Sequence, residues 1–203
     1  MSRLRTRPTR DDTCEKLFEA AARVFEEQGI GGASIEAIAA EAGFTRGAFY
    51  SNFKSKDELI IAMLEDHVAQ SIRRNLDLLA RHRTLADFLD ALKTMDRSRQ
   101  DPLGRSPLLH MEMILFVARA EQRRPDLAKR LRARRKLVAD IVETTLRNDG
   151  RKRARNPAWI AAIVLALEDG FRLHRLIDPE TTPADSFLRA IGDLHGAIGI
   201  SSA

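Results

Sequence analysis

The residues best suited to chemistry lie together between Ser34 and Lys56. If Phe49 and Phe53, at i and i+4, turn inward, the opposite face of the same short helix carries Thr45, Arg46, Gly47, Tyr50 and Asn52. All but Gly47 bear donors or acceptors for phosphate oxygens or for base edges in a major groove, and Gly47 would let a backbone approach closely. Lys54 and Lys56 follow directly, placed for phosphates. Residues 1–10 hold four arginines and no acid, a cationic arm beside the same unit.

These side chains need a scaffold, and the surrounding residues supply one. Ser34 is a good N-cap for a helix carrying Ile35, Ile38, Ala39 and Ala42, and Gly43 can adopt the left-handed conformation that ends it. Thr45 caps the second helix. Ala39, Ala42 and Ala48 are small where the two helices must cross. The pattern is a helix-turn-helix. Upstream, Cys14, Leu17, Phe18, Ala21, Ala22 and Phe25 form one face of a helix over 10–28 that Gly29 stops. The glycines after it make a turn, not a dinucleotide loop, because no strand precedes them and the G-x-G-x-x-G spacing is absent. Ser55 and Glu58 have capping-box spacing and open a long helix through about Leu79.

Helical periodicity continues over 84–97, 108–121, 126–148, 157–177 and 184–198, with a Pro/Gly linker around Pro102, Gly104 and Pro107. The expectation is an all-α chain of about nine helices. The 203 residues suffice for a sizeable core, and 11 glycines, 7 prolines and 31% charged residues favour a helical globular protein. One cysteine, Cys14, permits no intrachain disulfide and fits a reduced cytoplasmic setting; on its helix it reads as a small buried hydrophobe. The longest apolar run, Ala158 to Leu167, is too short to span a bilayer, and no apolar stretch follows the basic N-terminus as in a secretory signal. Net charge is +5, too modest to identify a partner by itself.

The run G-F-T-R-G-A-F-Y-S-N-F-K-S-K-D-E-L at 43–59, preceded by A-A-R-V-F-E-E-Q-G at 21–29, resembles the DNA-binding domain of the TetR family of transcriptional regulators. The resemblance covers about the first third of the chain. It implies a homodimeric one-component regulator, usually a repressor, with residues 1–55 on double-stranded operator DNA and 56–203 forming a ligand-binding and dimerisation domain. Carried over by position, Tyr50 and Lys56 contact phosphate, Thr45, Arg46 and Gly47 sit at base edges, and Ser34 and Thr45 touch the DNA backbone through their capping groups.

The later helices match that family only in architecture, so they identify no effector. Inward-looking positions for a pocket are Phe88, Leu92, Met95, His110, Met113, Ile114, Val117, Ile141 and Phe171, with His110 and His174 available to read polar groups on a largely apolar small molecule. An apolar stripe on the last two helices, Trp159, Ile163, Leu167, Phe187, Ile191, Leu194 and Ile198, reads as a two-fold four-helix interface. His110 and Glu112, two apart, point in different directions and form no metal pair, and His174 lacks an H-x-x-x-H partner, so neither metal nor cofactor is expected. The basic run 129–136 alternates with Leu131 and Leu137 and reads as the solvated face of an amphipathic helix, as does Arg151–Arg155 as a solvated connection. No nucleophile elbow, phosphate loop, H-E-x-x-H or cysteine cluster supports an enzyme. The competing readings are a DNA-binding protein without a ligand and, more remotely, a helical enzyme or protein-interaction module.

Overall fold

The computed structural model describes residues 10–82, 84–94, 106–150 and 156–200, and the side chains as far as His195. Among these residues there are nine α-helices and no strand: α1 (Arg10–Gly32), α2 (Ile35–Glu41), α3 (Arg46–Tyr50), α4 (Lys56–Arg81), α5 (Leu85–Thr94), α6 (Pro107–Arg119), α7 (Arg124–Asn148), α8 (Pro157–Ile177) and α9 (Ser186–Ile200). The all-α expectation holds. The arginine arm before Arg10, Met95 and the Arg151–Arg155 loop lie outside the described residues.

The helix ends follow from capping chemistry. Ser34 and Thr45 are extended N-caps whose hydroxyls accept from the Ala37 and Ala48 amides. Between them Gly43, at φ +73°, closes α2: its N–H donates to the Ala40 carbonyl and the Phe44 N–H to the Ala39 carbonyl. That pair of bonds is a Schellman motif, which needs a left-handed residue where glycine stands. The Ser55/Glu58 box forms with one change of partner. The Glu58 amide donates to Ser55 Oγ, but the Glu58 carboxylate accepts from the Lys54 amide at 2.6 Å. Gly29 breaks α1 through its positive φ, yet Ile30–Gly32 resume a helical turn and Ile30 is buried, so the turn expected there is only a kink.

The chain divides into two compact units, the boundary falling inside α4 between His67 and Val68. The first holds α1–α3, the start of α4, and α6 with the short 3-10 turn after it. Its core is Leu17, Ala21, Phe25, Ile38, Ala39, Phe49, Phe53, Leu59, Ile60 and Met63, continued on α6 by Leu109, Met113 and Val117. Phe18, Phe49 and Phe53 stack, with neighbouring ring centroids 5.9 Å apart.

The second unit holds the rest of α4, α5, most of α7, α8 and α9. Phe88, Leu137 and Ile141 form a buried cluster against which Ile72, Leu78, Leu79, Leu85 and Leu92 pack. Here the reading of 129–136 as a uniformly solvated face is corrected. Lys129, Arg132 and Lys136 are exposed, but Arg130, Arg134 and Arg135 are partly buried. Arg134 pairs with Glu168 on α8 at 2.7 Å, and Arg172 holds the other oxygen of that carboxylate at 2.9 Å. Helical spacing is the reason, because positions 130 and 134 share the side of α7 that carries 137 and 141.

Candidate nucleic-acid interface

Phe49 is fully buried, and this fixes the rotation of the five-residue α3: Thr45, Arg46, Gly47 and Tyr50 come to the surface. Ser34, at the start of α2, is exposed as well. A Cβ added at Gly47 would meet only the Thr45 hydroxyl, at 3.7 Å, so the helix presents bare backbone there. Five of the expected residues are therefore accessible, four of them on or capping α3 and Ser34 at the start of α2.

Arg46 and Tyr50 are joined. An Arg46 guanidinium nitrogen donates to the Tyr50 hydroxyl at 3.4 Å, and the guanidinium carbon lies 5.4 Å from the centre of the Tyr50 ring. A second nitrogen pairs with Glu36 on α2 at 2.9 Å. The Tyr50 hydrogen bond first, and Glu36 second, hold the Arg46 cation more firmly protonated than usual. Glu36 is a member of this surface that sequence reasoning missed. It stands on a different helix from its partner, and no periodic spacing links positions 36 and 46.

Two expected contacts are placed differently. Asn52 is half-buried; its amide nitrogen donates to the Ala48 carbonyl and its oxygen accepts from the Cys14 thiol at 3.7 Å. Burial pushes that thiol up from its ordinary range, against a smaller opposing effect of Arg10. Lys56 is half-buried too, and its ammonium donates to the backbone carbonyls of Ile30 at 2.6 Å and Ala33 at 2.8 Å. Lys54 is exposed.

Of the residues expected to line a pocket, Phe88, Ile141 and Leu92 meet in the cluster of the second unit, where Phe171 is half-buried. In the first unit His110, Met113 and Val117 are buried, and the His110 ring stacks on His67 with centroids 4.4 Å apart. Ile114 and His174 are exposed and do not look inward. Of the expected interface stripe, Trp159, Ile163 and Leu194 are exposed, Leu167, Phe187 and Ile191 half-buried, and the Ile198 side chain lies outside the described residues. Among the described residues no cluster of three or more His, Cys, Asp or Glu is placed to hold a metal ion, and no helix is long and apolar enough to cross a membrane.

A capped helix pair of this kind is the geometry of a helix-turn-helix. The comparisons give the family. Residues 17–63 match the family model for bacterial regulatory proteins of the tetR family, and residues 110–197 match that for the C-terminal part of BetI-type transcriptional repressors. The two models together cover most of the chain, which belongs to the tetR family of transcriptional regulators. The chain is 36% identical over 91 residues to the HTH-type transcriptional regulator TtgR of Pseudomonas putida, 45% of this chain and 41% of that one. It thus spans about two-fifths of that relative's length. Identity to the HTH-type transcriptional regulator PksA of Bacillus subtilis is 27% over 187 residues, covering 87% of this chain and 85% of that one. The fold is shared with a transcriptional regulator from Pseudomonas aeruginosa, at a TM-score of 0.72 and 19% identity over 97% of this chain and 94% of that one.

Proposed function

We propose that this chain is a one-component repressor, not an enzyme, in which residues 1–55 bind operator DNA and 56–203 form the effector-binding and dimerisation domain. The observation that carries the reading is the exposed face Thr45–Arg46–Gly47–Tyr50, held outward by a buried Phe49 and two side-chain caps. Arg46 brings a planar donor pair suited to guanine O6 and N7, while Tyr50 and Lys54 suit phosphate. The match to a transcriptional-repressor C-terminal model supports the direction of regulation. Its place of work is then wherever the DNA is, the cytoplasm of a bacterial cell.

A five-residue recognition helix reaches few bases, so a homodimer is required, presenting two such helices at half-sites roughly 34–36 Å apart. The exposed apolar positions of α8, Trp159, Ile163, Leu173 and Ile177, recur at helical spacing and support α8 with α9 as the two-fold seam. The effector is a small, largely apolar molecule. It needs a differential affinity of only a few kcal/mol between two positions of α4 to shift the population off the operator.

The test is selection of DNA from a genomic pool by the purified protein, followed by release with a panel of apolar small molecules. A pseudo-palindromic site, freed by at least one compound, is expected. No enriched sequence would overturn the DNA-binding reading. A site that no compound releases would favour the ligand-independent regulator.

A further inference from the structure

Lys56 stands at the first residue of α4, where a cation has no electrostatic reason to be. The positive end of that helix's dipole favours acids, and Asp57 and Glu58 supply them. The side chain is instead turned toward the far end of α1. The helical turn after the Gly29 kink leaves the Ile30 carbonyl in the last turn of α1 and the Ala33 carbonyl in the link to α2, and both accept from the Lys56 ammonium, at 2.6 and 2.8 Å. Carbonyls at a helix end need a donor, and a charged one makes the stronger bond. Ala33 is buried and immediately precedes Ser34, the N-cap of α2. The ammonium therefore ties the first turn of α4 to the point at which the helix-turn-helix begins.

We propose that Lys56 is a positioning residue: it fastens α4 to the entry of α2, setting the pose of the recognition helix, and it does not itself take a DNA phosphate. This rests on the DNA-binding reading above. Two of the ammonium's three donors are committed to backbone at a half-buried place, and reaching a phosphate would strand both carbonyls. Lys54, two residues earlier and exposed, carries the phosphate contact. Because the tie joins α4 to the end of α1 and to the residue before the α2 N-cap, it also gives movement of α4 a short route to the DNA-reading pair. The Glu58 carboxylate on the Lys54 amide and the Glu58 amide on Ser55 hold the same turn from its other side.

The full chain is compared as wild type, Lys56→Met, Lys56→Arg and Lys54→Met. Amide hydrogen exchange is followed without DNA, and affinity for the selected operator is followed against salt. Lys56→Met should speed exchange across residues 30–40 by about tenfold, the effect of losing one such tie. It should weaken operator binding while leaving the slope of log K against log salt unchanged. Lys54→Met should do the reverse, flattening the slope by about 0.9 per phosphate contact with exchange unaltered. Lys56→Arg keeps the charge but replaces a compact ammonium by a planar fork, so it should restore neither exchange nor affinity. It carries the test alone if Lys56→Met does not fold.

Wild-type exchange in Lys56→Met with a flattened slope, or full operator affinity and exchange in Lys56→Arg, would overturn the proposal. If the wild type selects no DNA, the DNA-binding reading fails, and the exchange arm still decides whether Lys56 fastens α4 to α2.

Discussion

Arg46 is held on two sides before any DNA arrives, by the Glu36 carboxylate and the Tyr50 hydroxyl. Its pair with Glu36 is exposed and screened by solvent, so it contributes little, whereas a good bidentate contact with guanine discriminates by ~1–3 kcal/mol. In the proposed complex the base contact would therefore outweigh the Glu36 pair. Arg46→Ala is expected to weaken operator binding by ~1–3 kcal/mol and to relax preference at one position in each half-site. A selection with the variant checks this, and an unchanged consensus would leave Arg46 a phosphate contact only. Glu36→Gln releases the guanidinium and removes a negative charge beside the phosphates, so affinity should rise by about two- to fivefold with the consensus unaltered. Loss of the preference read by Arg46 would instead make Glu36 its buttress. Thr45, Arg46, Gly47 and Tyr50 were legible as one face because they lie within two turns of a single short helix. Asn52 and Lys56 stand apart from that face, because residue type reveals a donor but not its acceptor: the Asn52 amide turns back to the Ala48 carbonyl of α3, and Lys56 to the carbonyls of Ile30 and Ala33.

At the scale of elements, local chemistry was the most readable part of the chain. Ser34, Gly43, Thr45 and Ser55 end or begin helices by bonds within four residues of themselves, so their roles depend little on the rest of the fold. Gly43 gives the sharpest test. A Cβ there would meet nothing within 4 Å, so the cost of Gly43→Ala is purely that of a left-handed backbone at φ +73°. That cost is ~1–2 kcal/mol, and Gly43→Asn, which tolerates the conformation better, should recover part of it. Denaturant unfolding of the three proteins measures both differences; equal stability of all three would mean that the turn rearranges. What was illegible depends on distant partners. The basic run of α7 looked like a solvated face by its alternation with leucines, yet Arg134 is drawn inward by Glu168 and Asp169 on α8, which no local pattern announces.

For the whole molecule, periodicity marks an apolar stripe but not what covers it. The helix α8 is apolar on several sides in sequence, and only its placement separates Ala161 and Leu165, which are buried within the chain, from Trp159 and Ile163, which are 64% and 40% exposed. Exposed aromatic and branched side chains recurring along one helix face call for a partner, and in the proposed homodimer a second copy of the same stripe would supply it with two-fold symmetry. This makes Ile163 a better probe of assembly than the half-buried Ile191. In a lone chain, Ile163→Glu can keep its carboxylate in water, so the fold should survive with unchanged helix content. In the two-fold seam the same carboxylate would be buried without a partner, and symmetry buries it twice, at a cost of several kcal/mol. Sedimentation should then show a folded monomer, and operator binding should fall by two or more orders of magnitude although no residue of the DNA-reading face has changed. A wild-type chain that is monomeric at micromolar concentration, or an Ile163→Glu variant that still dimerises and binds its operator, would place the seam elsewhere.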